Sequence, residues 1–181
     1  MPAGYEHAVE RVSLGYGEEL WAFAKTLVDT WGVYPQTDWL GLSEYPAVEP
    51  GAQVMVLVRM LGTWWTSPCR VVYVVDEPDR YGFAYGTLEG HVERGEELFL
   101  LLREPATGEV FYEIRVMARA AHVLAKALPP VVSFMQARFR KTAFAQVLAR
   151  TASFRESTPA DSHLEALHHA PDDAELAVFE G

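Results

Sequence analysis

The sequence predicts an α+β domain: a curved antiparallel β-sheet of about six or seven strands wrapped around a long C-terminal helix, with an N-terminal helix after the first strand. Two observations carry this. Between Gln53 and Arg119 five segments rich in Val, Leu, Tyr and Phe follow one another across short, turn-forming separators, the pattern of an antiparallel meander. The period then changes, and Leu128, Val132, Met135, Phe139, Ala143 and Val147 mark one stripe of a helix. A sheet with an apolar face and a helix with an apolar stripe bury one another.

Taken in order, His7 to Leu14 alternates as a strand with Val9 and Val12 facing inward. Leu20, Phe23, Ala24, Leu27, Val28 and Trp31 recur at helical steps and predict a helix from Glu18 to Trp31. Gly17 opens it, Glu18 and Glu19 suit its first turn, and Gly32 with Pro35 stops it. Pro35 to Gly51 reads as an irregular link with a short helix or strand near Trp39. The meander strands follow at Gln53–Leu61, Arg70–Asp76, Tyr81–Leu88, Leu98–Glu104 and Val110–Arg119. Their separators include Thr66-Ser67-Pro68, Glu77-Pro78-Asp79, Glu89-Gly90-His91 and Pro105 to Gly108. Gly82 and Gly86, inside a strand, mark a sharp bend or a close backbone approach. Pro129 and Pro130 open the last helix, which runs to about Arg150. Beyond Ser157 the chain holds Asp and Glu but no Lys or Arg, so residues 4–155 are expected as one domain and 156–181 as an acidic, flexible tail.

Composition narrows the function. The 181 residues are half hydrophobic and 22% charged, as in a globular domain. The longest aliphatic runs, Val54–Val58 and Val71–Val75, are too short to span a bilayer, and Glu6, His7 and Glu10 do not suit a secretory signal; a cytoplasmic location is expected. Cys69 is the only cysteine, which excludes an intrachain disulfide and a multi-cysteine metal site. The net charge of −10 is unevenly divided, since Ile114 to Arg155 carries eight basic residues and no acidic one. No phosphate-binding loop, Gly-x-Ser-x-Gly or His-Glu-x-x-His motif is present, and neither a cofactor nor a metal is expected.

One stretch is more specific. Pro68-Cys69-Arg70-Val71-Val72-Tyr73-Val74-Val75, followed by Gly82-Phe83-Ala84-Tyr85-Gly86-Thr87-Leu88-Glu89-Gly90-His91-Val92-Glu93-Arg94-Gly95-Glu96-Glu97, resembles uncharacterised protein family 0548 of bacteria and plants. The resemblance covers most of Gly4 to Arg150 and assigns no catalytic residue. The family's order of strands and helices is similar to the helix-grip architecture of START, polyketide-cyclase and pollen-allergen (Bet v 1-like) proteins, which implies a cavity between sheet and C-terminal helix.

In such a cavity, alternation places Tyr81, Phe83 and Tyr85 on one face, where they and Tyr112, Met135 and Phe139 line a site for a small apolar or amphipathic molecule. The same aromatics also suit a plain core. His91, Glu93, Glu96 and Glu97 fall in the predicted loop Glu89–Glu97; they suit acid/base work if buried, and are a solvated charged loop otherwise. An alternative to simple binding is therefore a hydrolase or cyclase in which Tyr85, His91, Glu93, Glu97 or Tyr112 moves protons. Cys69 reads as a nucleophile with His91 as base or as a small buried hydrophobe, and Trp64-Trp65 as a pocket rim or as residues folded onto the sheet. Arg138, Arg140, Lys141, Arg150 and Arg155 form a basic helix face for an anionic partner or for solvent, with nucleic acid disfavoured by the pI near 5.0. His163, His168 and His169 lack partners at zinc-site spacing.

Overall fold

The computed structural model describes residues 5–60, 62–91, 93–120 and 129–157. Seven strands form one antiparallel sheet: β1 (Glu6–Tyr16), β2 (Leu40–Leu42), β3 (Gln53–Met60), β4 (Thr63–Glu77), β5 (Arg80–Thr87), β6 (Glu93–Arg103) and β7 (Glu109–Ala120). Their order across the sheet is β1-β7-β6-β5-β4-β3-β2, a meander closed by the return of β1 against β7. Helices α1 (Glu18–Asp29) and α2 (Pro129–Ser157) pack on its concave face, with Phe23 and Phe154 stacked between them at 4.2 Å.

The helices follow the predicted logic with two changes. Leu20, Trp21, Ala24, Leu27 and Val28 are the buried face of α1, and Gly17, at φ 107°, occupies its N-cap. The chain leaves α1 earlier than predicted, because the left-handed residue is Trp31 (φ 57°) and not Gly32. A bulky side chain in that region costs on the order of 1–3 kcal/mol. Burial of the indole against Phe83 and its hydrogen bond to the Pro46 carbonyl, 2.7 Å, offset the strain. Helix α2 runs past Arg150 to Ser157. The last residues of the predicted tail, 158–181, lie outside the described residues, as do Leu128 and the three histidines of the tail.

Three strand expectations are corrected. Val9 is 62% exposed, while Val12 and Leu14 face the core; an unbroken strand cannot turn residues 9 and 12 to the same side. Thr66-Ser67-Pro68 is not a turn but part of β4, and the hairpin turns instead at Gly62, φ 79°. Pro68 is tolerated there because it pairs with Met55 of β3 while the β5 ladder begins only at Cys69–Thr87. The segment from Glu93 to Glu97 is not a loop but the first half of β6, held in register against Val116–Ala120.

At Gly82 the structure has the close backbone approach. A Cβ at Gly82 would stand 2.1 Å from the Phe99 carbonyl oxygen, so β5 and β6 approach too closely there for any side chain. The concave face carries the main core, with Leu14, Trp31, Tyr34, Phe83, Phe99, Tyr112 and Ile114 fully buried. Ala84, Leu98 and Leu100, with Val75 and Leu102, make a small cluster on the opposite face.

Candidate functional site

Period-two alternation puts Glu93, Gly95 and Glu97 on the same face of β6 as the core residues Phe99 and Leu101. The strand therefore carries two carboxylates into the space beneath α2. Tyr85 lies directly across from Glu97 on β5 and donates its hydroxyl to Glu97 Oε2 at 2.7 Å. Nearer the start of β6, Gln136 of α2 donates through Nε2 to Glu93 Oε1 at 2.6 Å.

A third hydroxyl comes from the link after α1. The turn at Trp31 is closed by the Tyr34 N–H donating to the Trp31 carbonyl at 2.9 Å. Gln146 of α2 then holds the segment, donating to the Tyr34 carbonyl at 2.7 Å and accepting from the Gln36 N–H at 2.9 Å. The Tyr34 ring lies against Phe139 (5.4 Å between centroids), Phe99 (6.0 Å) and Tyr85 (6.3 Å). Its hydroxyl is buried beside that of Tyr85, whose hydrogen bonding to it opposes the upward push of burial, while Tyr85 gives its own proton to Glu97.

Helix α2 is seated unevenly over this cluster. Ala143, Val147 and Thr151 are fully buried, whereas no side chain from Val131 to Thr142 is. Met135, Gln136, Phe139 and Arg140 in that half are only partly covered, and Phe134 is 64% exposed.

Burial sets the electrostatics. It pushes the Glu97 carboxyl up to about 7, with the charge of Glu93 adding to the effect and the Tyr85 hydrogen bond and Arg140 opposing it. Glu93 is also raised by burial, against the Gln136 hydrogen bond. His91 is pulled down to about 4 by burial, and its Nδ1 accepts the Glu93 N–H at 2.9 Å. Burial, followed by the nearby Glu97 charge, holds the hydroxyls of Tyr34, Tyr85 and Tyr112 well above the usual phenol range and pushes the Cys69 thiol up to about 12. Glu97 is thus the group here that changes protonation near neutrality, and Cys69 stays a thiol.

The residues singled out from sequence are dispersed around this centre. Tyr85, Glu97 and Phe139 belong to it, and Glu93 lies up the same strand face. Met135 stands on the half-seated part of α2. Phe83 packs edge-on against Trp31 in the core, and the Tyr112 hydroxyl is committed to the Val33 carbonyl at 3.1 Å. Tyr81 instead reaches the surface, donating to Asp29 Oδ1 at 2.7 Å beneath Lys25. Glu96 points to the other face and accepts from Tyr73 at 2.8 Å. Trp64 and Trp65 are at the β3–β4 hairpin, where Trp64 helps line an open cleft of about 360 Å³ with Gln36, Leu40, Leu42 and Leu57. Of the basic face, Arg140 pairs with Glu10 at 2.6 Å and Arg138 lies over the Trp39 ring at 4.0 Å, both engaged with the protein's own body.

Sequence reasoning missed Tyr34 and Gln136. The one available signal was the aromatic in Trp31-Gly32-Val33-Tyr34-Pro35, since an aromatic amid turn residues needs somewhere to be buried. Among the described residues no three His, Cys, Asp or Glu side chains are placed to hold a metal ion. Among them, too, no helix is long and apolar enough to cross a membrane.

The family model described as a domain of unknown function, DUF1990, matches residues 1–146. A UPF0548 protein of Deinococcus radiodurans is 40% identical over 154 residues, covering 78% of this chain and 76% of its own length. A UPF0548 protein of Arabidopsis thaliana is 31% identical over 144 residues, covering 76% and 69%. Among solved structures, ginseng major latex-like protein 151 from Panax ginseng superposes with a TM-score of 0.54 at 12% identity, covering 82% of this chain and 99% of its own. The protein TTHA0849 of Thermus thermophilus gives 0.53 at 13% identity, with coverage of 85% and 99%. At such identities the likeness is one of fold, and the fold is the Bet v 1-like helix-grip.

Proposed function

Because the chain belongs to the DUF1990 family of unknown function, which brings no activity with it, we propose a function from the site: binding of a small apolar or amphipathic molecule between the sheet and the N-terminal half of α2. The observation that carries this reading is the placing of Glu97 and the hydroxyls of Tyr85 and Tyr34 beneath the half of α2 that lacks a fully buried side chain. A core built for stability alone has no use for this cluster, because burying a carboxyl costs free energy. A ligand site needs it, since a few convergent polar groups in apolar walls fix orientation. Met135 and Phe139 are the side chains that give way to the ligand, with Phe99 and Tyr85 as its opposite wall. Phe83, Tyr81 and Tyr112 support that wall from outside the contact.

One feature favours a second reading, an enzyme of hydrolase or cyclase type. A carboxyl that titrates near neutrality and shares a proton with a tyrosine suits general acid/base work. In that reading Glu97 and Tyr85 move the proton, and His91 serves to hold the start of β6. The commitment of Arg138 and Arg140 to Trp39 and Glu10, with the acidic net charge, counts against an interaction module for nucleic acid.

Native mass spectrometry of freshly purified protein, with mass spectrometry of its organic extract, tests the binding. A reproducible released molecule of one chemical class is expected. Protein at its bare sequence mass that no apolar or amphipathic compound stabilises against heat overturns the proposal. Turnover of the recovered molecule by the wild type, and its loss in Glu97→Gln, distinguishes the enzyme from the binder.

A further inference from the structure

We infer that the bound molecule is an amphipathic amine whose protonated nitrogen sits against the Glu97 carboxylate among the rings of Tyr34, Tyr85, Phe99 and Phe139. The inference deepens the binding reading above and rests on it.

Four rings make a closed circuit at the site. Their centroids lie 6.3 Å apart from Tyr34 to Tyr85, 5.4 Å from Tyr85 to Phe99, 6.3 Å from Phe99 to Phe139 and 5.4 Å from Phe139 back to Tyr34. Aromatic faces are electron-rich and attract a desolvated cation. Phe139 belongs to the half-seated part of α2, so its movement exposes the other three rings to a ligand. Glu97 joins the circuit through Tyr85, which donates to Oε2 and leaves the second carboxyl oxygen for an N–H donor. Among the described residues no Lys, Arg or His side chain forms an ion pair with Glu97.

The charges around this carboxyl favour one sign of ligand. Glu93 lies along the same strand face, with Glu6 near it. From α2 the one cation that acts on Glu97 is Arg140, and it is committed to Glu10 of β1 at 2.6 Å. Tyr34, Tyr85, Tyr112 and Cys69, which all feel the Glu97 charge, hold their protons well past neutrality, and His91 is uncharged above about pH 4. An ammonium therefore meets a carboxylate and ring faces with no uncommitted cation to oppose it. A carboxylate head finds no cation to pair with, and an alcohol gains neither the charge nor the ring faces. The state of Glu97 is then linked to binding. In the empty protein it is half ionised near pH 7, and the amine takes the ionised form and drives off the remaining proton.

Octylamine, octan-1-ol and octanoate, titrated calorimetrically into the wild type and Glu97→Gln, test this. Octylamine should bind the wild type most tightly. Its affinity should rise about tenfold from pH 6 to pH 8, following the ionised fraction of a group with its midpoint near 7, because an alkylamine, like a lysine side chain, stays protonated across that range. Glu97→Gln should weaken octylamine roughly ten- to hundredfold at pH 8, abolish the pH dependence and leave octan-1-ol unchanged. The variant loses one of 25 acidic residues, so attraction to net charge alone would survive in it. Octan-1-ol or octanoate binding as tightly as the amine overturns the inference while ligand binding stands. So does an amine affinity that is untouched by Glu97→Gln, or one that is flat from pH 6 to pH 8 in the wild type. Failure of all three probes to bind removes the binding reading itself, and this inference with it.

Discussion

Replacing Glu97 with Gln should change how stability depends on pH, in a direction set by two buried groups that oppose one another. The folded protein holds the Glu97 proton up to about pH 7, whereas the same carboxyl in an unfolded chain releases it near 4.5. Between these values the folded state carries the extra proton, so stability is lost as the pH rises through the window and stays lost above it. The gap corresponds to about 3 kcal/mol, an upper bound. Glu93, raised by burial, acts with the same sign. His91 acts with the opposite sign. It accepts a proton only at about pH 4 when folded but near 6.5 when unfolded, so stability falls as the pH drops from 6.5 to 4. From pH 4.5 to 6.5 the two slopes oppose, and the wild type should be nearly flat. Glu97→Gln keeps an acceptor for the Tyr85 hydroxyl and removes one slope. Urea unfolding of the variant should show stability rising with pH across that window by up to about 3 kcal/mol, and a more stable protein than the wild type at pH 7.5. Parallel wild-type and Glu97→Gln profiles would refute the assignment of a buried, late-titrating carboxyl at this position.

Two further predictions concern the frame around the site. Gly82→Ala should destabilise the fold by roughly 1–3 kcal/mol in chemical denaturation, because the added Cβ meets the Phe99 carbonyl oxygen at 2.1 Å; a neutral result would mean that β5 and β6 do not approach as described. Cys69, fully buried with its thiol pushed up to about 12, should react with iodoacetamide only as the protein unfolds, and prompt labelling of the native protein would contradict that burial.

Elements whose residues agree at every level were legible in the sequence. The buried face of α1 keeps Leu20, Ala24, Leu27 and Val28 of the predicted stripe and adds Trp21, and Tyr81, Phe83 and Tyr85 do share one side of β5. The start of β6 was not legible. Glu93-Arg94-Gly95-Glu96-Glu97 has poor strand propensity and reads as a loop, yet pairing with β7 on one side and β5 on the other fixes it as strand. That is the reason Glu97 was seen as a candidate without its burial being foreseen. Tyr34 was hidden for a different reason: its position depends on a left-handed tryptophan and on Gln146 of a helix far along the chain, neither of which leaves a local pattern. Tyr112 shows the converse, since an aromatic on the right strand and the right face has its hydroxyl tied to a backbone carbonyl. Sequence pattern identifies a face, and only packing decides which polar tips on it remain unspent.

The return of β1 against β7 has a kinetic side. Every other neighbouring pair in the sheet joins consecutive strands, but β1 must find β7 across the whole intervening chain, from Glu6–Ala118 to Tyr16–Glu109. Contacts of that separation are closed late and slow folding. During synthesis β1 leaves the ribosome first and its partner last among the strands, so its backbone donors and acceptors wait unpaired while the meander assembles. An uncommitted strand is a template for pairing with other copies of itself. The charges of Glu6, Glu10 and Arg11 in a segment that ends on the core residue Leu14 are what such a strand needs in the interval: enough charge to discourage association, and enough apolar surface to dock when β7 arrives.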